Sequence, residues 1–514
     1  MGSGEQHDSE TSTKFRSVLV VSIVLGLVVP FVVLLIQQFT EVGDPTIPCC
    51  DYAVLEMGTR SFLRGEQLVG LYSREGWRHP GPVPFIWSAP FSLLPFRGFA
   101  KYQIAVVVMH MVAFGVYVAA IARRVRPTSV VALVALCSFF VWRFDVNQFR
   151  EPWNPYMAMS LGVVALVAAA RVFVDSSGAW LVVFALAGSM AVQTHLGSAP
   201  LVGGLLILLV VMAHRGRLSV DGKSVKRAGV VTGVLWLLPL IDLVVGDHNF
   251  FEVFRRSGDG PDMSLRAIGR ALVWMMSLSP DHLGRFFGTS SPFIDGGSPT
   301  IVNWLITLVS IGGGAWVLTK RHSQPFLAWM VALAFGGILL TTGALVVADG
   351  PFIRYLMLPM FGLSLVVWTA IVLAVAERLS DNSKWLTVSA ASVFGLLATF
   401  SVSGSHLSRQ YSNELIETVV AGIRENCDDL PDRTVVNVDE SVSWADAVAF
   451  VDQMDRCTDV RVTRGIGFIA GQGFEASSDD IANVRIGMVT DMADSPGTDI
   501  ASWNDIVVRV LDVD

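Results

Sequence analysis

The sequence predicts a polytopic α-helical membrane protein with about eleven transmembrane helices, interfacial helices in the first outer loop, and a small C-terminal extracytoplasmic α/β domain. Its 514 residues are 52% hydrophobic and only 16% charged, whereas soluble domains carry about 25% charged residues. Mean hydropathy is +0.55, and the apolar residues form runs close to the roughly 20 residues that cross a bilayer. Segment 404–514 changes to a mixed pattern of amphipathic helices and short β-like runs.

The predicted organisation has three parts: a cytoplasmic N-terminus at 1–16, a transmembrane domain at 17–403 and the extracytoplasmic α/β domain at 404–514. Lys14 and Arg16 precede the first apolar run. That run is long enough to span a bilayer, and no small-residue cleavage site follows it. We therefore predict an uncleaved anchor rather than a signal peptide.

Apolar runs are assigned as spans by their length. They are 17–37, 102–122, 128–143, 156–173, 179–196, 199–213, 228–246, 301–319, 326–347, 355–376 and 385–403. The break between the fifth and sixth runs matters most, because one continuous helix there would reverse the orientation of every later segment. Gly197 and Pro200 favour the break, since neither residue continues a helix well.

Positive charge is unevenly shared between alternate loops. Loops 123–126, 214–227 and 320–322 are short and basic, whereas loops 38–101 and 247–300 are long and rich in acidic residues, Trp, Pro and Gly. Because cytoplasmic loops carry an excess of Lys and Arg, we expect a multi-pass protein of the plasma (inner) membrane with a cytoplasmic N-terminus and an outer C-terminus. The chain has no basic tract suited to nucleic acid.

Several segments outside the spans carry helix or strand patterns. Segments 52–64 and 83–95 of the first outer loop, and 265–278 of a later loop, are predicted to lie along the membrane interface. The C-terminal segment is predicted to contain helices at 413–426 and 443–454 and strands at 434–439, 459–464 and 505–514. Cys427 and Cys457 can form a disulfide if this segment is extracytoplasmic.

The first outer loop holds the acidic candidates Asp51 and Glu56. Asp51 follows two cysteines at the start of a helical stretch, where it suits either a helix cap or a general base that takes a proton from an acceptor hydroxyl. Glu56 lies on an adjacent part of the same helix and could support Asp51, hold the acceptor or bind a divalent cation; the alternative is a surface glutamate. Asp44 ranks below Asp51, because the prolines of 45–48 turn the chain away.

Two further stretches place cations beside the membrane. The sequence 77–82, Trp-Arg-His-Pro-Gly-Pro, cannot be regular helix and predicts a rigid turn that displays Arg78 and His79. These side chains suit a phosphate group, and a purely structural turn is the alternative. Arg354, followed by Tyr355, begins a late span at its outer end, where it could pair with a lipid phosphate or extend to the headgroups.

The second outer loop combines Glu151, Trp153 and Asn154. Aromatic side chains beside polar ones suit sugar stacking and hydroxyl bonding. A membrane-interface belt explains Trp153 equally well, but it accounts less easily for Glu151 and Asn154. His195 ends a span at its outer face, where a histidine can face a polar cavity.

Together these features resemble the GT-C superfamily of membrane glycosyltransferases, which use polyprenyl-phosphate sugars as donors. The acidic first outer loop fits that superfamily. Residues 72–85, YSREGWRHPGPVPF, are similar to the YSRFGWNHPGP motif of a bacterial branch close to the protein mannosyltransferases and aminoarabinose transferases. The step from Arg354 to Pro359, Arg-Tyr-Leu-Met-Leu-Pro, resembles the Arg-Tyr-Leu-Leu-Pro step late in those proteins. The resemblance covers roughly 15–400.

The resemblance implies inverting transfer of a hexosyl or pentosyl group from a polyprenyl-phosphate donor to a hydroxyl of a cell-envelope glycan or lipid at the outer membrane face. The implied catalytic pair is Asp51, as the general base, with Glu56. The implied donor-phosphate ligands are Arg78, His79, Arg354 and Tyr355, and the implied sugar or acceptor ligands are Glu151, Trp153, Asn154 and His195. The family's acidic pair is adjacent or one residue apart, so the wider spacing here leaves the metal open, with Mg²⁺ or Mn²⁺ as candidates. The Ala-, Val- and Gly-rich composition favours arabinose or mannose and cell-wall glycans.

Other classes of protein fit the sequence less well. A polyprenyl-linked lipid flippase or transporter would need charges or broken helices at mid-depth in two halves, and Asp242 is the main such charge. An O-antigen-type ligase would concentrate Arg and His in a large late outer loop, whereas the acidic first loop dominates here. A scaffold whose C-terminal segment binds a partner stays open. The concentration of charge in outer loops favours a reaction at the membrane surface.

Overall fold

The computed structural model describes residues 20–21, 23–40, 47–73, 76–95, 99–255, 264–278, 298–346, 354–378, 384–402, 414–463, 465–492 and 495–512. The chain forms two compact units. The first, which we call the helical unit, comprises Met1–Gln37, Val106–Trp236 and Ser257–Ser403. The second, which we call the mixed unit, comprises Gln38–Ala105, Leu237–Arg256 and Gly404–Asp514.

In chain order the helices are α1 (Val29–Thr40, preceded by a π-turn at Val24–Val28), α2 (Cys50–Leu63), α3 (Val83–Ser92), α4 (Ala100–Ala122), α5 (Pro127–Arg143), α6 (Asn154–Asp175), α7 (Gly178–Thr194), α8 (Ala199–His214), α9 (Gly222–Val245), α10 (Asn249–Arg255), α11 (Leu265–Met276), α12 (Ile301–Thr319), α13 (Pro325–Val346), α14 (Leu358–Ala376), α15 (Lys384–Phe400), α16 (Glu414–Glu425), α17 (Trp444–Met454) and α18 (Ile466–Ala470).

Seven helices of the described residues are long and apolar enough to cross a membrane, and four shorter apolar helices accompany them. The long helices are Ala100–Ala122, Asn154–Asp175, Leu196–His214, Gly222–Val245, Ile301–Thr319, Pro325–Val346 and Leu358–Ala376. The shorter ones are Val24–Phe39, Ser129–Arg143, Gly178–Thr194 and Val388–Phe400. The helical membrane fold class is therefore confirmed, and each predicted run coincides with one helix. The count of eleven spans is not established, because four of these helices are short.

The predicted break before the sixth run is present. α7 ends at Thr194, and a 3₁₀ turn at Leu196–Ser198 precedes α8. His195 is extended, with φ −151° and ψ 115°, so the backbone leaves the helical conformation there. The interfacial predictions for 52–64, 83–95 and 265–278 correspond to the short helices α2, α3 and α11.

α6 and α14 form the buried centre of the helical unit. Both helices are buried along most of their length. They approach closely at Gly362, where a Cβ atom would collide with Val163 and contact Met159. Small residues at helix contacts allow this approach within a membrane. By contrast, α9 and α12 expose many Val, Leu and Ile side chains, as helices facing lipid do.

The C-terminal part of the mixed unit is an α/β fold. Its strands are β1 (Arg433–Val438), β2 (Asp459–Val462), β3 (Val484–Met488), β4 (Gly497–Trp503) and β5 (Ile506–Leu511), and the sheet order is β2-β1-β3-β5-β4. β1 is parallel to β2 and β3, whereas β5 is antiparallel to β3 and β4. The strand predictions found β1, β2 and β5. They missed β3 and β4. Each of these strands contains a glycine and few β-branched residues, so its strand pattern is weak.

The core of the mixed unit combines distant parts of the sequence. Val436 and Val460 from the sheet and Phe450 from α17 belong to one buried cluster with Cys49 and Met57 from the first outer loop. A disulfide joins Cys427 to Cys457, with their Cα atoms 5.4 Å apart. The compact unit thus extends beyond the predicted domain 404–514 and includes segments 38–105 and 237–256.

Candidate functional site

Helix α2 carries the acidic pair of loop 38–101, Asp51 and Glu56. Its N-cap is Cys49, which has extended backbone and makes no side-chain capping bond, and Asp51 lies in the first helical turn. The alternative that Asp51 caps the helix is therefore wrong. An acidic side chain in the first turn is still favoured by the positive end of the helix dipole. Asp51 is half-buried.

Glu56 is buried rather than on the surface, with 2% of its side chain exposed. Its Oε1 atom lies 2.6 Å from Arg456 Nη2 and 3.2 Å from Arg60 Nη1. Its Oε2 atom has no hydrogen-bond partner among the described residues. Burial, followed by the nearby carboxylate of Asp452, raises the pKa of Glu56, and the two arginines oppose that rise. The surface-glutamate alternative is thus excluded.

The ion pairs of Glu56 belong to a closed set that we call the charge ring: Glu56, Arg60, Asp452 and Arg456. Arg60 Nη2 lies 2.8 Å from Asp452 Oδ1, and Arg456 Nη2 lies 3.3 Å from Asp452 Oδ2. Arg60 Nε also donates to Asp455 Oδ2 at 2.7 Å. The ring connects α2 to the C-terminal end of α17. These partners lie about 400 positions away in sequence, and no local motif marks them.

The predicted turn at 77–82 belongs to a small antiparallel pairing. His79 N donates to Leu71 O at 2.8 Å, and Gly70 N donates to His79 O at 2.8 Å. A Cβ atom at Gly70 would stand 2.8 Å from Gly81 O, so the two segments approach closely because Gly70 has no side chain. His79 is buried and meets the Trp77 ring edge-on, with ring centroids 5.4 Å apart.

Arg78 is buried and already paired. Its Nη1 atom lies 3.1 Å from Asp247 Oδ2, and its Nη2 atom contacts the Glu475 carboxylate. Nη2 also donates to Phe468 O at 3.1 Å, and the guanidinium lies 4.6 Å from the Phe468 ring centroid. The two carboxylates are 53% and 43% exposed, so both can turn toward solvent.

Asn249 and Gln472 complete the surroundings of Arg78. Asn249 accepts from the Arg78 backbone N at 2.7 Å and donates to its O at 2.8 Å. Gln472 Nε2 donates to Asp242 Oδ1 at 2.8 Å and to Asp247 Oδ2 at 2.9 Å. Asp242 is therefore a buried, hydrogen-bonded carboxylate near the C-terminal end of α9. Asn249 and Gln472 are uncharged and far from 77–82 in sequence, and the sequence analysis did not identify them.

The candidates of the second outer loop lie in the helical unit, at the start of α6. Asn154 Nδ2 donates to Thr194 O at 3.3 Å, which brings Asn154 beside the residue that precedes His195. Trp153 is buried and meets Tyr156 edge-on, with ring centroids 5.2 Å apart. Because Trp153 is buried, it differs from the exposed aromatic side chains that form a membrane belt. Glu151 is also buried.

Three hydroxyl groups near these candidates have no hydrogen-bond partner among the described residues. They belong to Tyr156, Thr194 and Ser198, and each is buried. Buried polar groups in native proteins almost always have a partner, which can be ordered water or a ligand. None of the three was among the residues predicted from the sequence. Their position next to Asn154 and His195 was the available signal.

The remaining predicted positions are only partly described. Arg354 and Tyr355 begin the 3₁₀ turn Arg354–Met357, directly before α14, and their side chains lie outside the described part of the structure. Asp44 also lies outside the described residues. Within the described ranges, no group of three or more His, Cys, Asp or Glu side chains is arranged to hold a metal ion.

The sequence has no match among protein-family models or curated proteins, but its fold has matches among solved structures. The crystal structure of ArnT from Cupriavidus metallidurans bound to undecaprenyl phosphate is similar, with a TM-score of 0.59 and 12% sequence identity, over 95% of this chain and 97% of that one. The apo structure of the same ArnT has a TM-score of 0.51, 12% identity and the same coverage. The chain therefore has an ArnT-like fold, as the resemblance to GT-C glycosyltransferases predicted.

Proposed function

We propose that this protein is a GT-C-type glycosyltransferase that moves a sugar from a polyprenyl-phosphate donor to a hydroxyl of a cell-envelope glycan or lipid. The similarity over 95% of the chain to an ArnT structure with bound undecaprenyl phosphate carries this proposal. One fold can host many functions, so the proposal also depends on the residues of the first outer loop.

Asp51 is the proposed general base. It accepts the proton of the acceptor hydroxyl while that oxygen bonds to the anomeric carbon, and the polyprenyl phosphate leaves with the electrons of the broken bond. The half-buried position of Asp51 supports this role, because partial burial favours a raised carboxylate pKa while leaving part of the residue exposed. Glu56 is less suited to be the base, since it is buried and paired with two arginines.

Arg78, His79, Arg354 and Tyr355 are the proposed donor-phosphate ligands. Arg78 can serve only if a phosphate replaces at least one of its carboxylate partners, Asp247 and Glu475. Their partial exposure makes that exchange physically reasonable, because a released carboxylate would be solvated. A phosphate would retain the charge-assisted contacts of the guanidinium.

Glu151, Trp153, Asn154 and His195 are the proposed sugar or acceptor ligands. The unpartnered hydroxyls beside them support a polar, hydroxyl-bearing ligand there. Arabinose or mannose on cell-wall glycans is the substrate class that we propose. We also propose the predicted orientation, in which the N-terminus is cytoplasmic and the C-terminal segment is outside the plasma (inner) membrane.

The flippase or transporter is the second candidate and has less support. Asp242, its main charge, is buried and accepts hydrogen bonds from Gln472 Nε2 and from the backbone N of Asn249 at 3.1 Å. These contacts are typical of a structural carboxylate. No described contact favours the O-antigen-type ligase over the GT-C transferase.

A transfer assay tests the proposal directly. Purified protein in nanodiscs would be offered a panel of polyprenyl-phosphate sugars with cell-wall glycan acceptors. We expect product from the wild type and a loss of about 100-fold or more in Asp51→Asn, as for a missing general base. The matched control is Asp480→Asn, a half-buried carboxylate of the same unit that pairs with Arg433, which should keep wild-type activity. Equal rates for wild type and Asp51→Asn would reject Asp51, and no product with any donor would reject the proposed function.

A further inference from the structure

We propose that the C-terminal segment is a positioning element for the helix that carries the proposed base, and that the charge ring fixes that helix. Through its catalytic consequence, this inference rests on the proposed function. The residues concerned are Arg60 on α2, and Asp452 and Arg456 at the end of α17. They are positioning residues, since they act through α2 and not on the substrate.

The charge ring closes on itself. Glu56 and Arg60 stand one helical turn apart on α2, and Asp452 and Arg456 stand one turn apart at the end of α17. Each arginine contacts both carboxylates, with N···O distances of 3.2, 2.8, 3.3 and 2.6 Å around the ring. A ring of this kind resists both rotation and sliding of one helix against the other, because either motion separates several pairs at once.

Because the ring is buried, each of its charges depends on its partners within the ring. The side chains of Glu56 and Asp452 are 2% and 3% exposed, so neither carboxylate can exchange its arginine for bulk water. Removing one partner from such a set leaves a charge buried and unpaired, which is strongly unfavourable. The contact extends beyond the ring, since Arg60 and Arg64 both pair with Asp455. These ion pairs therefore favour a single position of α2 against α17.

Side-chain packing on other sides of α2 favours the same position of the helix. Met57 belongs to the buried core of the mixed unit. A Cβ atom at Gly58 would collide with the Phe85 ring of α3, and one at Gly473 would collide with the Ser61 hydroxyl. Both glycines thus permit close approach to α2 from different directions. Charge pairs on one side and tight packing on two others determine where α2 lies.

The consequence concerns Asp51, five residues before Glu56. A helix rises about 1.5 Å per residue, so Asp51 stands roughly 7–8 Å along the axis from the ring. A small tilt or turn of α2 at the ring is passed to Asp51 through the rigid helix. A misplacement of about 1 Å can cost on the order of 100-fold in rate. The C-terminal segment would therefore contribute to catalysis without touching the substrate.

The decisive variant is Arg60→Met, which removes the guanidinium and keeps much of the apolar stem. Its matched control is Arg509→Met in the same unit. Arg509 is 16% exposed, compared with 22% for Arg60. It bonds Asp499 Oδ1 at 2.5 Å and the carbonyls of Met492 and Ser495 at 2.7 Å each, and none of these partners is on α2. Both variants lose a guanidinium that contacts several groups, but only Arg60→Met loses contacts that join α2 to α17.

Two measurements separate positioning from stability. Hydrogen exchange followed by mass spectrometry reports the protection of the α2 amides, Cys50–Leu63. Steady-state kinetics, at a temperature where all variants are folded, reports kcat and the donor KM. We expect Arg60→Met to lose α2 protection and to lower kcat by about 10- to 100-fold with little change in donor KM, and Arg509→Met to do neither. Arg60→Lys, which keeps the charge, should recover part of the kcat.

The outcomes are distinguishable from failure of the proposed function. Unchanged α2 protection in Arg60→Met would overturn the inference, as would equal kcat losses in Arg60→Met and Arg509→Met. If the wild type forms no product, the proposed function fails. A selective loss of α2 protection in Arg60→Met would then still support the charge ring as the element that holds α2.

Discussion

The candidate residues of the mixed unit lie among ion pairs, whereas those of the helical unit lie beside buried hydroxyl groups. In the mixed unit, Glu56 and Arg78 are buried, and each is paired with two oppositely charged side chains. In the helical unit, the hydroxyls of Tyr156 and Thr194 are buried without a hydrogen-bond partner among the described residues. A buried group without a partner is costly, so the second set is incomplete in a way that a ligand or ordered water would remedy.

The two sets of residues should therefore respond differently to substitution, one in stability and the other in binding. A paired, buried charge holds elements together, so its removal should first reduce stability. An unpartnered hydroxyl adds little to stability, so its removal should be felt mainly when a ligand binds.

Glu56→Leu should destabilise the mixed unit strongly. The variant leaves Arg60 and Arg456 without one of their carboxylates, and breaking a buried ion pair costs about 3–5 kcal/mol of unfolding free energy. Glu66→Leu is the control, because Glu66 pairs with Arg64 and Arg461 while 31% exposed. Exposed pairs contribute at most about 1 kcal/mol. Exchange of the sheet amides measures both values.

A similar loss of unfolding free energy in the two variants would contradict this prediction. It would mean that the ion pairs of Glu56 contribute no more to the free energy of unfolding than surface pairs do. Packing alone would then fix the position of α2. The charge ring would then be a consequence of the fold and not one of its determinants.

The long separation of these partners explains what the sequence could and could not predict. Apolar runs and a break at Gly197 and Pro200 are local patterns, and they located every helix of the described transmembrane region to within a few residues. The pairing of Glu56 with Arg456 joins residues 400 positions apart, and that of Arg78 with Glu475 spans 397. Such pairs arise from topology, so no local pattern could show that the first outer loop and the C-terminal segment share one core.

The disulfide offers a second, somewhat smaller test of the mixed unit. Cys457 directly follows Arg456 of the charge ring and joins Cys427, 30 residues away. A cross-link closing a loop of this size contributes about 3–4 kcal/mol of stability, chiefly by restricting the unfolded chain. We therefore expect Cys427→Ser with Cys457→Ser to lower the thermal midpoint of the mixed unit. Dithiothreitol should lower the wild-type thermal midpoint by the same amount as the two substitutions and leave the midpoint of the double variant unchanged. If dithiothreitol lowered both midpoints, its effect would not come from this disulfide.

The smallest effect on stability, and the sharpest contrast, should come from two tyrosines. The Tyr117 hydroxyl donates to Thr369 Oγ1 at 2.7 Å, whereas the Tyr156 hydroxyl has no partner among the described residues. Tyr117→Phe removes a made hydrogen bond, so it should cost about 1 kcal/mol of stability and leave the substrate KM unchanged. Tyr156→Phe should cost almost no stability, yet raise the KM for one substrate by about 2- to 10-fold if a ligand hydroxyl bonds there.

Thermal midpoints and KM values for donor and acceptor, measured on both tyrosine variants, check this pair. A destabilised Tyr156→Phe protein with normal KM values would mean that ordered water or a protein group outside the described residues satisfies the hydroxyl. The Tyr156 hydroxyl would then be satisfied without a substrate, as the charges of Glu56 and Arg78 are. A KM effect confined to Tyr156→Phe would instead place substrate recognition at the start of α6, beside the hydroxyls of Tyr156, Thr194 and Ser198 that have no partner among the described residues.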